Sequence, residues 1–328
     1  MIYLSIFVGK IEPFITIVDM VNNNQVNMAL FTASDVFAME FLHDPPGHTV
    51  TMTQCIHQMF KHQDQIYRGT AVDEITGEVF QYAAVFDGHG GDACIAFIRS
   101  LSDETRAEIF GKRAPVEEMA KLVNENVSGK KCGGSTMNLT KIYKDHIECI
   151  NCGDSQAAVY KDGELIYLTV EHNWENIQEK QRLEAMGAYF TPSTNVKVVD
   201  DTHIHGIYSE YVNWRNDGSQ LACTQALGSN GKTGYAPHHE VIPILPGSTY
   251  NIFAGSDGFW DMVIKDSPTE MQSFSGFTAE QGVAFAISRW LQPWEMRPYN
   301  KTNYVSGQYS KEEADDVCVV TIAIVPNA

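Results

Sequence analysis

Asp87-Gly88-His89-Gly90-Gly91 closes the apolar run Tyr82-Ala83-Ala84-Val85-Phe86, and Ala93 to Phe110 behind it is patterned as a helix. A carboxylate at the end of a buried strand, a pair of turn-making units and an imidazole make a compact site for a metal and a proton. The Asp87 carboxylate can ligate a hard cation, and Gly88 can present its carbonyl because no Cβ blocks the approach. His89 then stands close enough to exchange a proton with whatever the metal activates. The same residues also suit a plain strand-to-helix turn in which Asp87 caps the helix and His89 is solvated.

The whole chain has 328 residues, enough for one large domain or two small ones. Its formal charge of −18, from 23 Lys and Arg against 41 Asp and Glu, argues against nucleic acid or an anionic membrane as a partner. Seven cysteines with no framework spacing suggest reduced thiols and a cytoplasmic setting. Cys149-x-x-Cys152 has no second pair to complete a zinc site and reads as core packing. Met1 to Val8 is apolar but short and lacks a basic lead, so a strand is expected there and not a signal peptide. No apolar run approaches the length of a membrane helix.

Short runs rich in β-branched and aromatic residues recur at Ile11–Val18, Val79–Phe86, Ser135–Tyr143, Ile147–Asn151, Ala157–Tyr160, Leu165–Val170, Thr249–Ala254 and Val317–Val325. Lys161-Asp162-Gly163-Glu164 is a hairpin turn between two of them. Helical patterns fall at Ala93–Phe110, Val116–Val127 after Pro115, Glu175–Met186 before Gly187, and Thr278–Leu291 before Pro293. Hairpin-linked strands interrupted by helices point to an α+β fold of two antiparallel sheets covered by helices. Thr191 to Gln220 is polar and reads as long surface loops or a protruding hairpin, a plausible specificity surface. Residues 1–46 are expected to form a strand-containing extension, and 47–328 the main domain.

Further acidic positions share one logic, an Asp at the end of an apolar strand. Asp154 lies in Asn151-Cys152-Gly153-Asp154-Ser155, Asp257 and Asp261 in Gly255-Ser256-Asp257-Gly258-Phe259-Trp260-Asp261, and Asp315-Asp316 precedes the last strand. Asp64 precedes another strand. The spacing of Asp257 and Asp261 puts both on one face if a helical turn begins there. Aspartates delivered by several strand ends onto one sheet edge can bind two Mg²⁺ or Mn²⁺ ions and a water between them.

Taken in order, these stretches resemble the metal-dependent protein serine/threonine phosphatases of the type 2C (PPM) family. The matching pieces are Phe86-Asp-Gly-His-Gly-Gly91, Gly133-Gly-Ser-Thr136, Asn151-Cys-Gly-Asp-Ser155, Leu168-Thr-Val-Glu-His172 with Glu179 and Arg182, Leu221-Ala-Cys-Thr-Gln-Ala-Leu-Gly228, Gly255-Ser-Asp-Gly-Phe-Trp-Asp261 and Asp315-Asp-Val-Cys-Val-Val320. They cover roughly residues 50–325. The resemblance implies a central sandwich of two antiparallel sheets flanked by paired helices, with a two-metal centre at one end. It implies that Asp87, Asp257 and Asp315 hold Mg²⁺ or Mn²⁺ with the Gly88 carbonyl, that Asp154 and Asp261 serve a third ion, and that Asp64 belongs to the same set. It implies that His89 protonates the leaving Ser or Thr oxygen of a phosphoprotein, with no phosphoenzyme and no cysteine nucleophile. A monomer is expected.

The chain departs from the family at several supporting positions. Met59 and Gln63 stand where Arg and Glu are usual, Glu171 replaces Asp, Gln225 and Ser229 replace Arg and Asp, and Asp316 replaces Asn. Met cannot reproduce the bidentate fork of Arg, so Lys61 or His62 is expected to grip the substrate phosphate as a point charge, and enhanced turnover in Met59→Arg would mark an active chain with a weakened phosphate clamp. The alternative is a pseudophosphatase that keeps the fold and acts as a binding scaffold. A metal-dependent nuclease would need a basic groove that this acidic chain does not offer.

Overall fold

The computed structural model describes residues 44–129, 132–214 and 220–327. The expected strand at Ile11–Val18, and nearly all of the expected extension, lie outside the described residues.

One sheet is ordered β1 (His48–His57), β17 (Val317–Pro326), β14 (Tyr250–Gly255), β7 (Gln156–Lys161) and β8 (Glu164–Leu168), antiparallel throughout. The expected hairpin joins its last two strands, pairing Lys161 with Glu164. A second sheet contains β2 (Asp64–Val72), β3 (Val79–His89), β5 (Met137–Ile142), β6 (His146–Cys152) and β13 (His238–Pro243), also antiparallel. The two-residue strands β4 (Gly134–Ser135) and β12 (Leu227–Gly228) continue it beside the end of β3.

Alternation along the strands decides the layering. In β3, Phe80, Tyr82, Ala84 and Phe86 face a helical layer, while Ala83 and Val85 face the other sheet. In β17, Cys318, Val320, Ile322 and Ile324 face the second sheet, and Val317 and Val319 face outward. Both faces are therefore apolar, which is why these strands read as continuous hydrophobic runs. Helices α1 (Ala93–Ser100), α2 (Asp103–Phe110) and α3 (Pro115–Asn126) cover the second sheet through Ile95, Ile98, Phe110, Met119 and Val123. Helix α4 (Ile177–Ala185) lies elsewhere, and α5 (Asp257–Trp260), α6 (Pro268–Ser273) and α7 (Ala279–Trp290) cover the first sheet through Phe259, Trp260, Met271, Val283 and Trp290. Each such large side chain contributes roughly 1.5–3 kcal/mol on burial. The result is the expected α-β-β-α sandwich.

Three features differ from the sequence expectation. The helix expected over Ala93–Phe110 is two helices, because Ser102 caps a new one by accepting from the Thr105 N–H at 3.2 Å. A third sheet stands outside the sandwich. Strand β10 (His203–Trp214) pairs with β9 (Ala188–Val198) along one edge and with β11 (Gln220–Leu221) and β15 (Trp294–Arg297) along the other, and β16 (Val305–Gly307) extends β15. The Thr191–Gln220 stretch is thus mostly a hairpin, with residues 215–219 outside the described residues. Finally, β10 and β15 run parallel, so the fold is not antiparallel throughout.

Candidate metal centre

The strand ends bring the acidic residues together. The register of β2 on β3 sets Asp64 opposite Asp87. In the other sheet, β14 ends at Gly255, and Asp257 starts α5 beside the residues that lead into β17. A Cβ on Gly258 would stand 1.9 Å from the Asp316 carbonyl oxygen and 3.3 Å from the Asp315 Cβ, so only glycine lets the two segments pass. Ser256 joins the halves, its Oγ donating to Asp64 Oδ2 at 2.7 Å. Asp154 sits in the turn between β6 and β7, where the chain crosses from one sheet to the other. Asp261 follows α5 one turn after Asp257, its N–H bonding to the Asp257 carbonyl at 2.7 Å. At the end of β3, a Cβ on Gly88 would press on Ile95 Cβ at 3.0 Å and Gln63 Cβ at 3.1 Å, so the backbone is approached closely there.

Burial pushes Asp64, Asp87 and Asp154 well above the usual carboxylate range, and neighbouring carboxylates, chiefly Asp257, add to it. Burial and then Asp315 raise Asp257, while burial and then Asp257 push Asp261 up to about 8. Asp257 is the neighbouring charge that most raises Asp87, so the pair is relieved by a shared proton or a cation. Asp154, Asp257, Asp261 and Asp315 keep partial exposure, so the cluster opens to solvent.

Among the described residues, no three His, Cys, Asp or Glu side chains are drawn together as a finished cage. The donors nonetheless fit a hard divalent ion in kind, since they are all oxygen, crowded and short of positive charge. One positive charge is already present: Lys61 Nζ lies 2.7 Å from Asp315 Oδ2. Burial pulls Lys61 down, but Asp315, Asp257 and Asp87 outweigh it and hold its ammonium above the ordinary range.

The segment carrying Lys61 is held over the centre by Asp316. Its Oδ1 accepts from the Met59 N–H at 2.5 Å and its Oδ2 from the Gln63 N–H at 2.6 Å. Gln63 Nε2 also donates to Asp92 Oδ1 at 2.6 Å. His62 is exposed, sits in the left-handed region at φ 56°, and gives its carbonyl to Arg99 Nη2 at 3.1 Å. Met59 is buried in the apolar core that also holds Phe259, Trp260 and Val317.

His89 ends β3, with Nε2 at 3.7 Å from Cys223 Sγ. Burial and then the Lys61 ammonium lower its pKa to about 4, so the imidazole is neutral at neutral pH. The other departures serve the framework. Gln225 is buried and bridges the Ala236 backbone through both ends of its amide, at 2.8 and 3.1 Å. Ser229 donates its N–H to the Gly133 carbonyl at 2.8 Å, and Glu171 pairs with Lys265 at 2.8 Å. His172 Nδ1 accepts from the Gly153 N–H at 3.1 Å and so steadies the turn that carries Asp154. Asp316 and Cys223 are the participants that sequence reading did not assign. The doubled Asp315-Asp316 was the signal for the first, and nothing local marks the second.

Residues 77–271, more than half of the chain, match the family model described as protein phosphatase 2C. The protein named Probable protein phosphatase 2C 59 of Oryza sativa subsp. japonica is 23% identical over 215 residues, a match spanning 62% of this chain and 59% of that protein. Probable protein phosphatase 2C 69 of Arabidopsis thaliana is 26% identical over 284 residues, covering 79% of this chain and 74% of the relative. The crystal structure of serine-threonine phosphatase 2C from Toxoplasma gondii shares the fold, with a TM-score of 0.51 at 15% identity over 86% of this chain and 96% of that one. The chain belongs to the protein phosphatase 2C family.

Proposed function

We propose that this chain hydrolyses phosphoserine and phosphothreonine esters in proteins, with Mg²⁺ or Mn²⁺ as cofactor. The observation that carries the reading is the convergence of Asp64 and Asp87 from one sheet with Asp257 and Asp315 from the other, in a chain of this family. Asp87, Asp257, Asp315 and the Gly88 carbonyl would hold two ions, and Asp154 and Asp261 a third. Bound there, the ions supply an acidified water and offset phosphoryl charge during in-line displacement.

The chain's own groups do the rest. Asp64 stands behind Asp87 and is oriented by Ser256. Lys61, on Asp315, is the ammonium we assign to the substrate phosphate, with His62 next to it in the chain as a second candidate. His89 gives a proton from its imidazole to the leaving oxygen; a phosphate dianion alongside favours the protonated ring, the opposite of the effect of Lys61. Burial raises the Cys223 and Cys318 thiols well above the ordinary range, which keeps them protonated and unsuited to attack.

The test is phosphate release from phosphopeptides with and without Mn²⁺. Release that depends on Mn²⁺, stops with chelator and falls at least a hundredfold in Asp257→Asn is expected. Hydrolysis that persists without metal refutes the reading, and peptide binding without any turnover replaces it with a scaffold role.

A further inference from the structure

The segment Gln58 to Gln63 forms a lip over the Asp315-Asp316 pair, and almost every residue in it is tied down. Gln58 Nε2 donates to the Asp64 carbonyl at 2.7 Å, Met59 is in the core, Lys61 is on Asp315, the His62 carbonyl takes Arg99, and Gln63 is on Asp316 and Asp92. Phe60 is the exception. The residue is 73% exposed, higher than any other large apolar residue described. A single exposed apolar side chain ordinarily means little. This one is carried on backbone fixed from both sides, next to the cation at the centre.

Resting on the phosphatase reading, we propose that Phe60 is a specificity determinant that packs against an apolar side chain next to the phosphorylated residue of the protein substrate. Consecutive Cα atoms lie about 3.8 Å apart, so Phe60 and Lys61 offer neighbouring side chains, and a peptide whose phosphate reaches Lys61 can bring the residue beside the phosphorylated one within reach of the Phe60 ring. The Met59 and Gln63 anchors fix the lip before binding, which removes most of the ordering cost that weakens contacts on mobile loops. The ring offers an apolar face and no charge, so it favours Leu, Val or Met there over Gly or Asp.

The test compares two phosphothreonine peptides, identical except for leucine or glycine beside the phosphorylated residue. The wild-type chain is expected to favour the leucine peptide about tenfold in kcat/KM, carried by KM with kcat alike. Phe60→Ala should bring the ratio to about one, and Phe60→Leu should keep most of it. A ratio near one in the wild type, or an unchanged ratio in Phe60→Ala, overturns the proposal. Equilibrium binding of the same peptides with Mn²⁺ is measured in parallel. If neither peptide is turned over, the phosphatase reading fails on its own, and the binding ratio still decides the role of Phe60. The exposed position makes misfolding of Phe60→Ala easy to check by thermal melting against the wild type.

Discussion

Asp316 shows how much a single carboxylate does beside the centre. Both oxygens accept backbone N–H groups, from Met59 and Gln63, and the side chain is nearly fully buried. An asparagine offers only one acceptor oxygen and would turn an NH₂ towards the second N–H, leaving a buried donor unmet. Asp316→Asn is therefore expected to lower stability by about 1–3 kcal/mol in urea unfolding. An unchanged midpoint would contradict the clamp. Met59→Arg should be worse, since it places an unpaired guanidinium in the Phe259 and Trp260 core. A loss of about 3–5 kcal/mol is expected, with no gain in turnover. Neither residue's role was legible beforehand, because the partners of the lip lie more than 250 positions away in sequence.

At the scale of elements, the sandwich strands were legible because each is buried on both faces. Val79–His89 and Val317–Pro326 carry apolar residues at successive positions, half for the helical layers and half for the space between sheets. For strands β9 and β10 the sequence left loops and a protruding hairpin both open: their faces are only half-buried and interleaved with Thr, Ser, Asn and His, so the local pattern does not separate the two. The division of the first long helical pattern turned on Ser102. Ser102→Ala should cost about 1 kcal/mol in chemical denaturation by removing the cap from the Thr105 N–H. No measurable cost would mean that packing of Ile109 and Phe110 alone starts α2 there.

At the scale of the molecule, the crowded carboxylates set a pH dependence. Asp64, Asp87, Asp154, Asp257 and Asp261 all stand above the usual carboxylate range, Asp261 at about 8. Between roughly pH 4, where free aspartates titrate, and the raised folded values, these carboxylates hold more protons in the folded chain than in the unfolded one, and they outnumber His57, His89 and His172, whose lowered values act the other way only below about pH 6.5. Stability of the metal-free protein should then fall as pH rises through that window. Thermal melting in chelator is expected to give a higher Tm near pH 5.5 than near pH 8, and Mn²⁺ should raise the pH 8 value most. A metal-free Tm that climbs towards pH 8 would show that the carboxylates are not crowded as described. Clustering of Asp87 with Asp257 and Asp315 was legible from the strand-end pattern; the ammonium of Lys61 among them was not, because its reach depends on how the lip folds over.

The bond from Ser256 to Asp64 crosses the seam between the sheets, with carboxylates on either side of it. The distance across the centre is thus set by the thickness of the layer of Val85, Ile252, Cys318 and Val320 that lies between the sheets. That layer works as a spacer gauge. Thinning it by a methyl group or two alters the gap between the aspartates without touching any of them, so the grip on a cation would be tuned from the interior of the protein.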